Sequence, residues 1–442
     1  MSFETNLANA IIGMDTLWGG DVMNPSGTGR FIADSWFSDQ PLPAAYNDRA
    51  AGKLRESGGV GPKEDRAAVD DYLSRIDVRG AIGSVAAEAK RIGGARGEYL
   101  DGLALCFQVM WDLAMELHGK GDPVPYDRCV EAITGRAPEP SSPTAKRDKV
   151  RELLGEAGHA STDIASLLAA VDAWRRDRIV ESRSIPGVAQ TMIAKFDALS
   201  ARNLSPHLPK ELTGVPRANV KFLPIENAWF SGSMNYIGRA RNADGSLQYE
   251  ATYELNAALQ ISLPEFEQLV SHEVVPGHVT TFAYLQDLYF HGRLGFEASV
   301  LTMNTRAAAL FEGIANNAIL IAYGVTELDE IPDRDLKIGL LLALLQDDAK
   351  NQSSYLTWKE GRAKEDVAAE LRRDYLVTDE RADKLSGAWG RHPLLGRMYL
   401  PAYRFGTNVV ADLRRKHSAG KVLPLLYGCH GVVDAITVQK AV

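Results

Sequence analysis

The chain has 442 residues, of which 45% are hydrophobic and 24% are charged. This is the composition of a globular protein, and it excludes extensive disorder. The 49 basic and 57 acidic residues give a formal net charge of −8. An acidic protein of this kind lacks the basic surface that general nucleic-acid binding requires, so no nucleic-acid partner is expected.

Cysteine usage and the N-terminus predict the compartment. Cys106, Cys129 and Cys429 lie far apart and form no Cys-x-x-Cys pair, so we expect neither a disulfide framework nor a cysteine zinc site. The first residues carry an acid at Glu4 and lack the basic start of a secretory signal. No run of about 18 apolar residues occurs, so no membrane span is expected. These features predict a soluble cytoplasmic protein with no membrane partner.

The first half of the chain is predicted to be helical after an irregular opening. Between residues 63 and 202, apolar residues recur at intervals of three and four, as they do on one face of a helix. The clearest case begins near Tyr99 and ends near Gly119, a glycine that is typical of a helix C-terminus. Pro-rich segments at 137–143 and 205–216 interrupt the pattern and predict loops.

A small sheet is predicted next. Residues 219–223 and 248–255 favour strands, and the Asn-Ala-Asp-Gly sequence at 242–245 predicts a turn between them. We expect these segments to form a small antiparallel sheet. The rest of the chain is predicted to be mostly helical, with the acidic pair Asp347 and Asp348 on a solvated face or at the start of a helix. The predicted fold class is therefore mainly α, with one small antiparallel β-sheet.

One segment has the composition of a metal site. Ser262 and Glu265 form a capping box, which predicts that a helix begins there. On this helix His272 is followed by Glu273, and His278 comes six positions after the first histidine. Zinc hydrolases bind the ion through neutral imidazoles and use an adjacent glutamate as the general base toward water. We therefore expect both histidines to be metal ligands.

The spacing of the two histidines differs from the usual His-Glu-x-x-His, in which both share one helical face. Six residues turn a straight helix by about 600°, which leaves the rings about 120° apart. Pro276 cannot donate to the carbonyl of His272 and crowds it, so the helix must kink or end there. Gly277 permits an unusual turn, which can swing His278 back toward His272. The alternative is a buried structural histidine network without a metal.

Glu312 is the best candidate for the third ligand. It is embedded among small and apolar residues of a helix predicted over 307–316, and a buried carboxylate is costly unless it is paired or binds a metal. Asn316, one turn further on, is predicted to orient Glu312. Two alternatives remain open. In the first, Glu312 forms an ion pair with Arg306 and binds no metal. In the second, Glu297 is the third ligand in place of Glu312.

These motifs resemble a widespread bacterial family of zinc-peptidase-like proteins of formerly unknown function. The family is distantly similar to the helical gluzincin carboxypeptidases. The resemblance rests on His-Glu-x-x-Pro-Gly-His at 272–278, on a Glu-Gly-bearing helix at 312–315 and on Tyr-Arg-Phe-Gly at 403–406, and it covers roughly residues 215–415. It implies a mainly helical, gluzincin-like metallohydrolase with the small antiparallel sheet beside the active-site helix.

The resemblance also implies roles for Tyr403 and Arg404. A zinc hydrolase needs a donor aimed at the negative oxygen of the tetrahedral intermediate, and a tyrosine hydroxyl does this in related architectures. An arginine can hold a substrate carboxylate through two hydrogen bonds. The alternative is that Tyr403 is a core aromatic and Arg404 a surface cation. His392 and Tyr399 are other possible donors.

Together these expectations describe a zinc-dependent hydrolase that cleaves a small peptide or peptide-like amide. We expect a helical N-terminal region over 1–205 and a catalytic metal-binding region over 206–442, fused into one body with a central cleft. The same donors accept Mn²⁺ or Co²⁺ as well as Zn²⁺. Two other functions stay open, a biosynthetic metal-dependent enzyme acting on a small acyl amino acid or amide, and a metal-free binding protein. The predicted site residues are the ligands His272, His278 and Glu312 and the catalytic residues Glu273, Tyr403 and Arg404.

Overall fold

The computed structural model describes residues 1–24, 32–60, 66–226, 232–256 and 260–442. Within these ranges the chain forms nineteen α-helices and five strands. The prediction of a mainly helical protein with a small sheet is therefore confirmed. None of the helices in the described ranges combines the length and the apolar character needed to cross a membrane.

The helices carry almost all of the regular structure, and two short π-helical turns lie at Tyr355–Lys359 and Leu395–Tyr399. The helices are α1 (Phe3–Leu17), α2 (Arg49–Ser57), α3 (Arg66–Ile76), α4 (Val78–Ile92), α5 (Gly94–Leu117), α6 (Tyr126–Thr134), α7 (Thr144–Glu156), α8 (Ile164–Arg176), α9 (Ile185–Asn203), α10 (Leu263–Glu273), α11 (His278–Phe290), α12 (Arg306–Asn316), α13 (Ala318–Tyr323), α14 (Arg334–Ser354), α15 (Lys364–Tyr375), α16 (Asp379–Ser386), α17 (Leu400–Lys416), α18 (Ala419–Leu426) and α19 (Thr437–Lys440). The strands are β1 (Ala33–Trp36), β2 (Val220–Ile225), β3 (Gly232–Ile237), β4 (Glu250–Asn256) and β5 (Val300–Thr302).

Helix α5 is the helix that the apolar spacing around Tyr99 predicts. Its buried face includes Leu103, Phe107 and Met110, which lie three or four positions apart. Gly119 follows the helix in the left-handed conformation (φ +66°), which glycine adopts without steric cost. The helix therefore ends where the sequence predicts.

The sheet differs from the prediction in its topology. Strands β2 and β4 are the two predicted segments, but they run parallel, with Val220 opposite Ala251. The predicted turn at 242–245 is present, with Gly245 at φ +85°, and it leads from β3 into β4. Strand β3 pairs antiparallel with β4, so two chain reversals separate β2 from β4. The predicted antiparallel pairing of β2 with β4 is wrong because β3, with the sequence Gly-Ser-Met-Asn-Tyr-Ile, has few strand-favouring residues.

The largest hydrophobic core draws side chains from both halves of the chain, from Leu7 to Val438. A second link between the halves is the two-stranded sheet in which β1 pairs antiparallel with β5. The three-stranded sheet lies against α11, since Tyr236 of β3 donates a hydrogen bond to Gln286 of α11 (2.6 Å). These contacts place the sheet beside the helix that begins at His278.

Helices α12 and α17 cross at backbone contact distance. A Cβ atom on Gly406 would lie 1.8 Å from the carbonyl oxygen of Ala309, and one on Gly313 would lie 2.3 Å from the carbonyl oxygen of Gly406. Neither position has room for a side chain. The crossing fixes the relative position of Glu312 on α12 and Tyr403 on α17.

Candidate metal centre

Helix α10 delivers the first histidine. Its N-cap is Ser262, whose hydroxyl accepts from the backbone N–H of Glu265 (3.4 Å) and donates to the Glu265 carboxylate (2.7 Å), as the capping box predicts. Phe266 and Val270 are buried on the inner face of the helix. The last turn then places His272 toward the interior and leaves Glu273 partly exposed.

The helix is interrupted between the two histidines. Helix α10 ends at Glu273 and α11 begins at His278, so each imidazole belongs to its own helix. A Cβ atom on Gly277 would lie 1.8 Å from the carbonyl oxygen of His272, which explains why only glycine fits in the break. The two imidazole rings are nearly perpendicular, with centroids 4.8 Å apart. The interruption of the helix therefore brings together two rings that a continuous helix would separate.

Glu312 of α12 completes a group of three potential ligands. Its Oε2 atom lies 3.4 Å from Nε2 of His272 and 3.8 Å from Nε2 of His278. One ligand atom from each residue lies within 4.8 Å of the other two. Tetrahedral zinc with bonds of about 2.1 Å separates its ligand atoms by about 3.4 Å. All three side chains are buried, and the group could hold a divalent metal ion.

The two oxygens of Glu312 have different surroundings. Oε1 accepts a hydrogen bond from the hydroxyl of Tyr399 (2.5 Å), whereas Oε2 is buried and has no hydrogen-bond donor in the described part of the chain. Arg306, the alternative partner, donates to the carbonyl of Ala132. A buried carboxylate oxygen without a donor is destabilising, and a bound cation removes that penalty. The residues present therefore fit a metal ion.

Asn316 orients His272, and not Glu312 as the sequence predicts. The amide nitrogen of Asn316 donates to Asp347 (2.5 Å) and to Thr407 (2.9 Å), so its oxygen faces Nδ1 of His272 at 2.8 Å. This oxygen accepts the Nδ1 proton, which leaves the Nε2 lone pair of His272 directed toward Glu312. Metal-binding histidines commonly have a partner of this kind.

The acidic pair on α14 is buried, so the prediction of a solvated face is wrong. Helix α14 packs against α7, α10 and α17, and both side chains are buried. Asp347 accepts from Asn316 and from Lys350 (3.0 Å), and Asp348 pairs with Lys146 (2.6 Å). Two adjacent acids within a largely apolar helix are the sequence signal that could have indicated burial. Asp347 thus supports the candidate centre through Asn316.

The electrostatics of the group favour an ionised carboxylate. Burial by itself would raise the pKa of Glu312, but the neighbouring imidazoles of His272 and His278 lower that pKa to about 2. Burial would lower the pKa of His272, but Glu312 and Glu273 raise it. A divalent cation bound by the same atoms must therefore compete with protons, because these side chains bind a metal in their deprotonated form.

Tyr403 lies next to Tyr399, the residue that donates to Glu312. Its ring is 5.1 Å from the ring of Tyr399, and Nζ of Lys350 lies 3.2 Å from its centroid. Burial and the negative charge of Glu312 raise the pKa of Tyr403 well above its usual value, and Glu273 adds to this effect. Tyr403 is therefore protonated at neutral pH and able to donate.

Three other residues from the sequence analysis lie away from this group. Arg404 donates to the carbonyl of Pro140, and its Nε atom lies 3.4 Å from Asp348. Glu297 is buried in an ion pair with Arg96 (2.6 Å). His392 accepts hydrogen bonds at Nδ1 from two backbone amides. The structure brings together the three predicted ligands, and Glu273 directly follows one of them in the chain. Tyr403 packs against Tyr399, an additional residue that donates to Glu312, whereas Arg404 lies elsewhere.

Comparison with models of protein families gives no match, and comparison with curated protein sequences gives none either. Among solved structures, a chain from Colwellia psychrerythraea described as a "putative lipoprotein" matches 81% of this chain with 13% identity and a TM-score of 0.53. The match spans 65% of the Colwellia protein. A "putative lipoprotein of unknown function" from Shewanella oneidensis matches 90% of this chain and 82% of its own length, with 13% identity and a TM-score of 0.49. At this identity, the similarity to the Colwellia protein indicates a shared, mainly helical fold alone.

Proposed function

We propose that the protein is a zinc-dependent hydrolase that cleaves a peptide or peptide-like amide bond. The observation that carries the proposal is the convergence of His272, His278 and the Glu312 oxygen that lacks a donor, next to a glutamate that directly follows the first histidine. The resemblance of the motifs to a gluzincin-like family supports the same activity. When bound, the ion would supply a Lewis acid that polarises the scissile carbonyl and lowers the pKa of water.

Glu273 is the general base of this proposal. It is partly exposed, so substrate and water can reach it, and its charge acts on both His272 and Tyr403. Its carboxylate takes a proton from the attacking water and later delivers it to the nitrogen of the leaving amine.

Tyr403 donates to the carbonyl oxygen as negative charge develops there. Its raised pKa keeps the hydroxyl protonated, and its partial exposure lets a substrate approach. Tyr399 has a different role, because its hydroxyl is engaged with Glu312. Arg404 has no part in this proposal, since its guanidinium lies against Asp348.

Metal content tests the ligand set. We expect about one zinc per purified chain by elemental analysis, and a loss of at least about tenfold in zinc affinity for His272→Ala, His278→Ala and Glu312→Ala. Two imidazoles and a carboxylate also accept Mn²⁺ or Co²⁺, so all three metals are to be measured. A variant that retains the full metal content removes that residue from the ligand set.

The substitution Glu273→Gln tests the base. It keeps the shape of the side chain and removes its basicity, so zinc content should stay the same while turnover of a peptide panel falls by about 10²- to 10⁴-fold. Glu267→Gln on the same helix is the control, because Glu267 pairs with Lys195 outside the centre. Full activity of Glu273→Gln would contradict the assignment. Including acyl amino acids in the panel separates peptidase activity from the biosynthetic alternative.

A further inference from the structure

Lys350 on α14 is a buried cation that lies between a carboxylate and an aromatic ring. Its Nζ atom donates to Oδ1 of Asp347 (3.0 Å) and lies 3.2 Å from the ring centroid of Tyr403. Lys350 is 6% exposed and Asp347 is 4% exposed. An ion pair at this depth is poorly screened by solvent, so removing one member leaves the other as an uncompensated buried charge.

The second oxygen of the Asp347 carboxylate holds an amide in place. It accepts from Nδ2 of Asn316 (2.5 Å) and from the hydroxyl of Thr407 (3.1 Å). Thr407 gives its single proton to Asp347, so its oxygen is a second acceptor for Asn316 (2.9 Å). With the amide turned over, the oxygen of Asn316 would face two acceptors with no proton between them. The charged Asp347 therefore permits one orientation of this amide.

The orientation of the amide decides the tautomer of His272. The oxygen of Asn316 lies 2.8 Å from Nδ1 of His272 and accepts its proton. Nε2, which lies 3.4 Å from Oε2 of Glu312, is then free of a proton and able to bind an ion. In the other tautomer Nε2 carries the proton and cannot be a ligand. The two forms differ only in which ring nitrogen holds the proton, and the charge of the imidazole is the same in both.

We propose that Lys350 is a positioning residue that sets the metal-binding tautomer of His272. It compensates the charge of Asp347, which in turn fixes the amide of Asn316. Without the ammonium group, the buried carboxylate must move toward water or take up a proton, and either change lets the amide turn over. The inference rests on the metal centre of the proposed function and does not depend on which bond that centre cleaves.

Simple electrostatics predicts the opposite effect of Lys350 on the centre. Its positive charge acts on both His272 and Glu312. Because like charges repel, a lysine at this distance should weaken the binding of a metal cation. If repulsion were its whole effect, removing the ammonium group would tighten zinc binding. If Lys350 sets the tautomer, removing the group loosens zinc binding, so the sign of the change separates the two roles.

The substitution Lys350→Met tests the proposal. Methionine is unbranched and apolar, and it preserves a contact with the ring of Tyr403. The dissociation constant for zinc, measured by competition with a chelator, should rise about 10- to 100-fold. Unchanged or tighter zinc binding overturns the proposal.

The tautomer is measured directly by ¹⁵N NMR of the metal-free protein, at a pH at which the imidazole is neutral. The His272 signals are assigned by their loss in His272→Gln. Wild-type His272 should carry its proton on Nδ1, and Lys350→Met should shift the population toward the form protonated on Nε2. A wild-type ring protonated on Nε2, or a tautomer that is the same in both proteins, overturns the proposal.

Lys146→Met is the matched control. It uncovers the neighbouring acid on α14, Asp348, whose pairs with Lys146 (2.6 Å) and Arg404 (3.4 Å) lie outside the hydrogen bonds of Asn316. The same charge is therefore removed from the same helix without touching the amide. Zinc affinity and the His272 tautomer should both stay as in the wild type.

The double variant Asp347→Asn with Lys350→Met keeps the proposal testable if the single variant does not fold. It removes both buried charges and retains an acceptor for Asn316, so zinc affinity should lie within about threefold of the wild type. A tenfold or greater loss overturns the proposal, because Lys350 would then act elsewhere than on Asp347. None of these measurements needs turnover. A protein that binds zinc with the expected tautomer and cleaves no amide refutes the proposed function and leaves this inference intact.

Discussion

At the scale of single residues, the candidate ligands are held by side chains that do not themselves belong to the ligand group. Tyr399 donates to Glu312, and Asn316 accepts from His272. Asn316 is in turn fixed by Asp347 and Thr407. Such partners set the orientation and basicity of metal ligands, and their loss typically weakens metal binding by 10- to 100-fold.

Tyr399→Phe should therefore weaken zinc binding without removing a ligand. The substitution deletes one hydroxyl and leaves Oε1 of Glu312 without its donor. We expect the dissociation constant for zinc, measured by competition with a chelator, to rise about 10- to 100-fold while the circular dichroism spectrum stays the same. Tyr289→Phe on α11 is the control, because the Tyr289 ring packs against Phe290. Unchanged affinity in Tyr399→Phe would show that this bond does not support Glu312.

The sequence identifies some of these residues and not others for a clear reason. His272, His278 and Glu312 carry a local signal, namely a distinctive spacing and an acid among apolar neighbours. Tyr403 and Arg404 are adjacent, so about 100° of helical rotation separates them and only one can face the centre. The choice between them depends on how α17 packs, which the sequence of α17 alone does not specify.

At the scale of elements, the crossing of α12 and α17 positions the centre. These helices carry Glu312 and Tyr403, and their backbones touch at Gly313 and Gly406. A side chain at either glycine would push the helices apart, and the ligand would move with them.

Gly406→Ala should destabilise the protein and impair metal binding together. The added methyl group would overlap the carbonyl of Ala309, so the free energy of unfolding should fall by about 1–3 kcal/mol or more, measured by denaturant titration. Zinc affinity should fall in the same variant. Gly83→Ala on α4 is the matched control, since no atom lies within 4 Å of its added Cβ, and it should be neutral or slightly stabilising. A Gly406→Ala protein with normal stability would contradict the close crossing.

Element prediction succeeds where the determinants are local. The capping box of Ser262 and Glu265 predicts the start of α10, and the spacing of apolar residues predicts α5. The order of the sheet depends on β3, whose residues do not favour a strand by themselves and which forms by pairing with β4. Tertiary pairing therefore decides what the local sequence leaves open.

At the scale of the whole molecule, Asp15 on α1 couples folding to pH. Its side chain is 2% exposed, and Oδ1 accepts from the backbone N–H groups of Ile32 (3.1 Å) and Ala33 (3.0 Å). Burial raises the pKa of Asp15 from 3.8 to about 7, despite these two hydrogen bonds. The native state thus holds a proton that the unfolded chain releases near pH 4.

Asp15→Asn should remove part of the pH dependence of stability. Between pH 4 and pH 7 the native state binds the Asp15 proton more tightly than the unfolded state, so wild-type stability should fall as pH rises through this window. The full difference in the pKa of Asp15 between the folded and the unfolded state corresponds to roughly 4 kcal/mol of stability. Asparagine keeps the acceptor oxygen, so the variant should lose this slope and be the more stable protein at pH 7.5, measured by Tm from pH 4.5 to 7.5. Asp329→Asn, at an exposed site, should follow the wild type.

The arrangement of the three ligands on separate, already packed helices bears on how the centre matures. Small zinc modules fold only when the ion arrives, so for them metallation and folding are one event. Here the donors already converge and are held by Tyr399 and Asn316, so uptake requires no backbone rearrangement. On the proposed function, the folded protein would lose and regain the ion without refolding, and the supply of metal would govern occupancy without governing assembly.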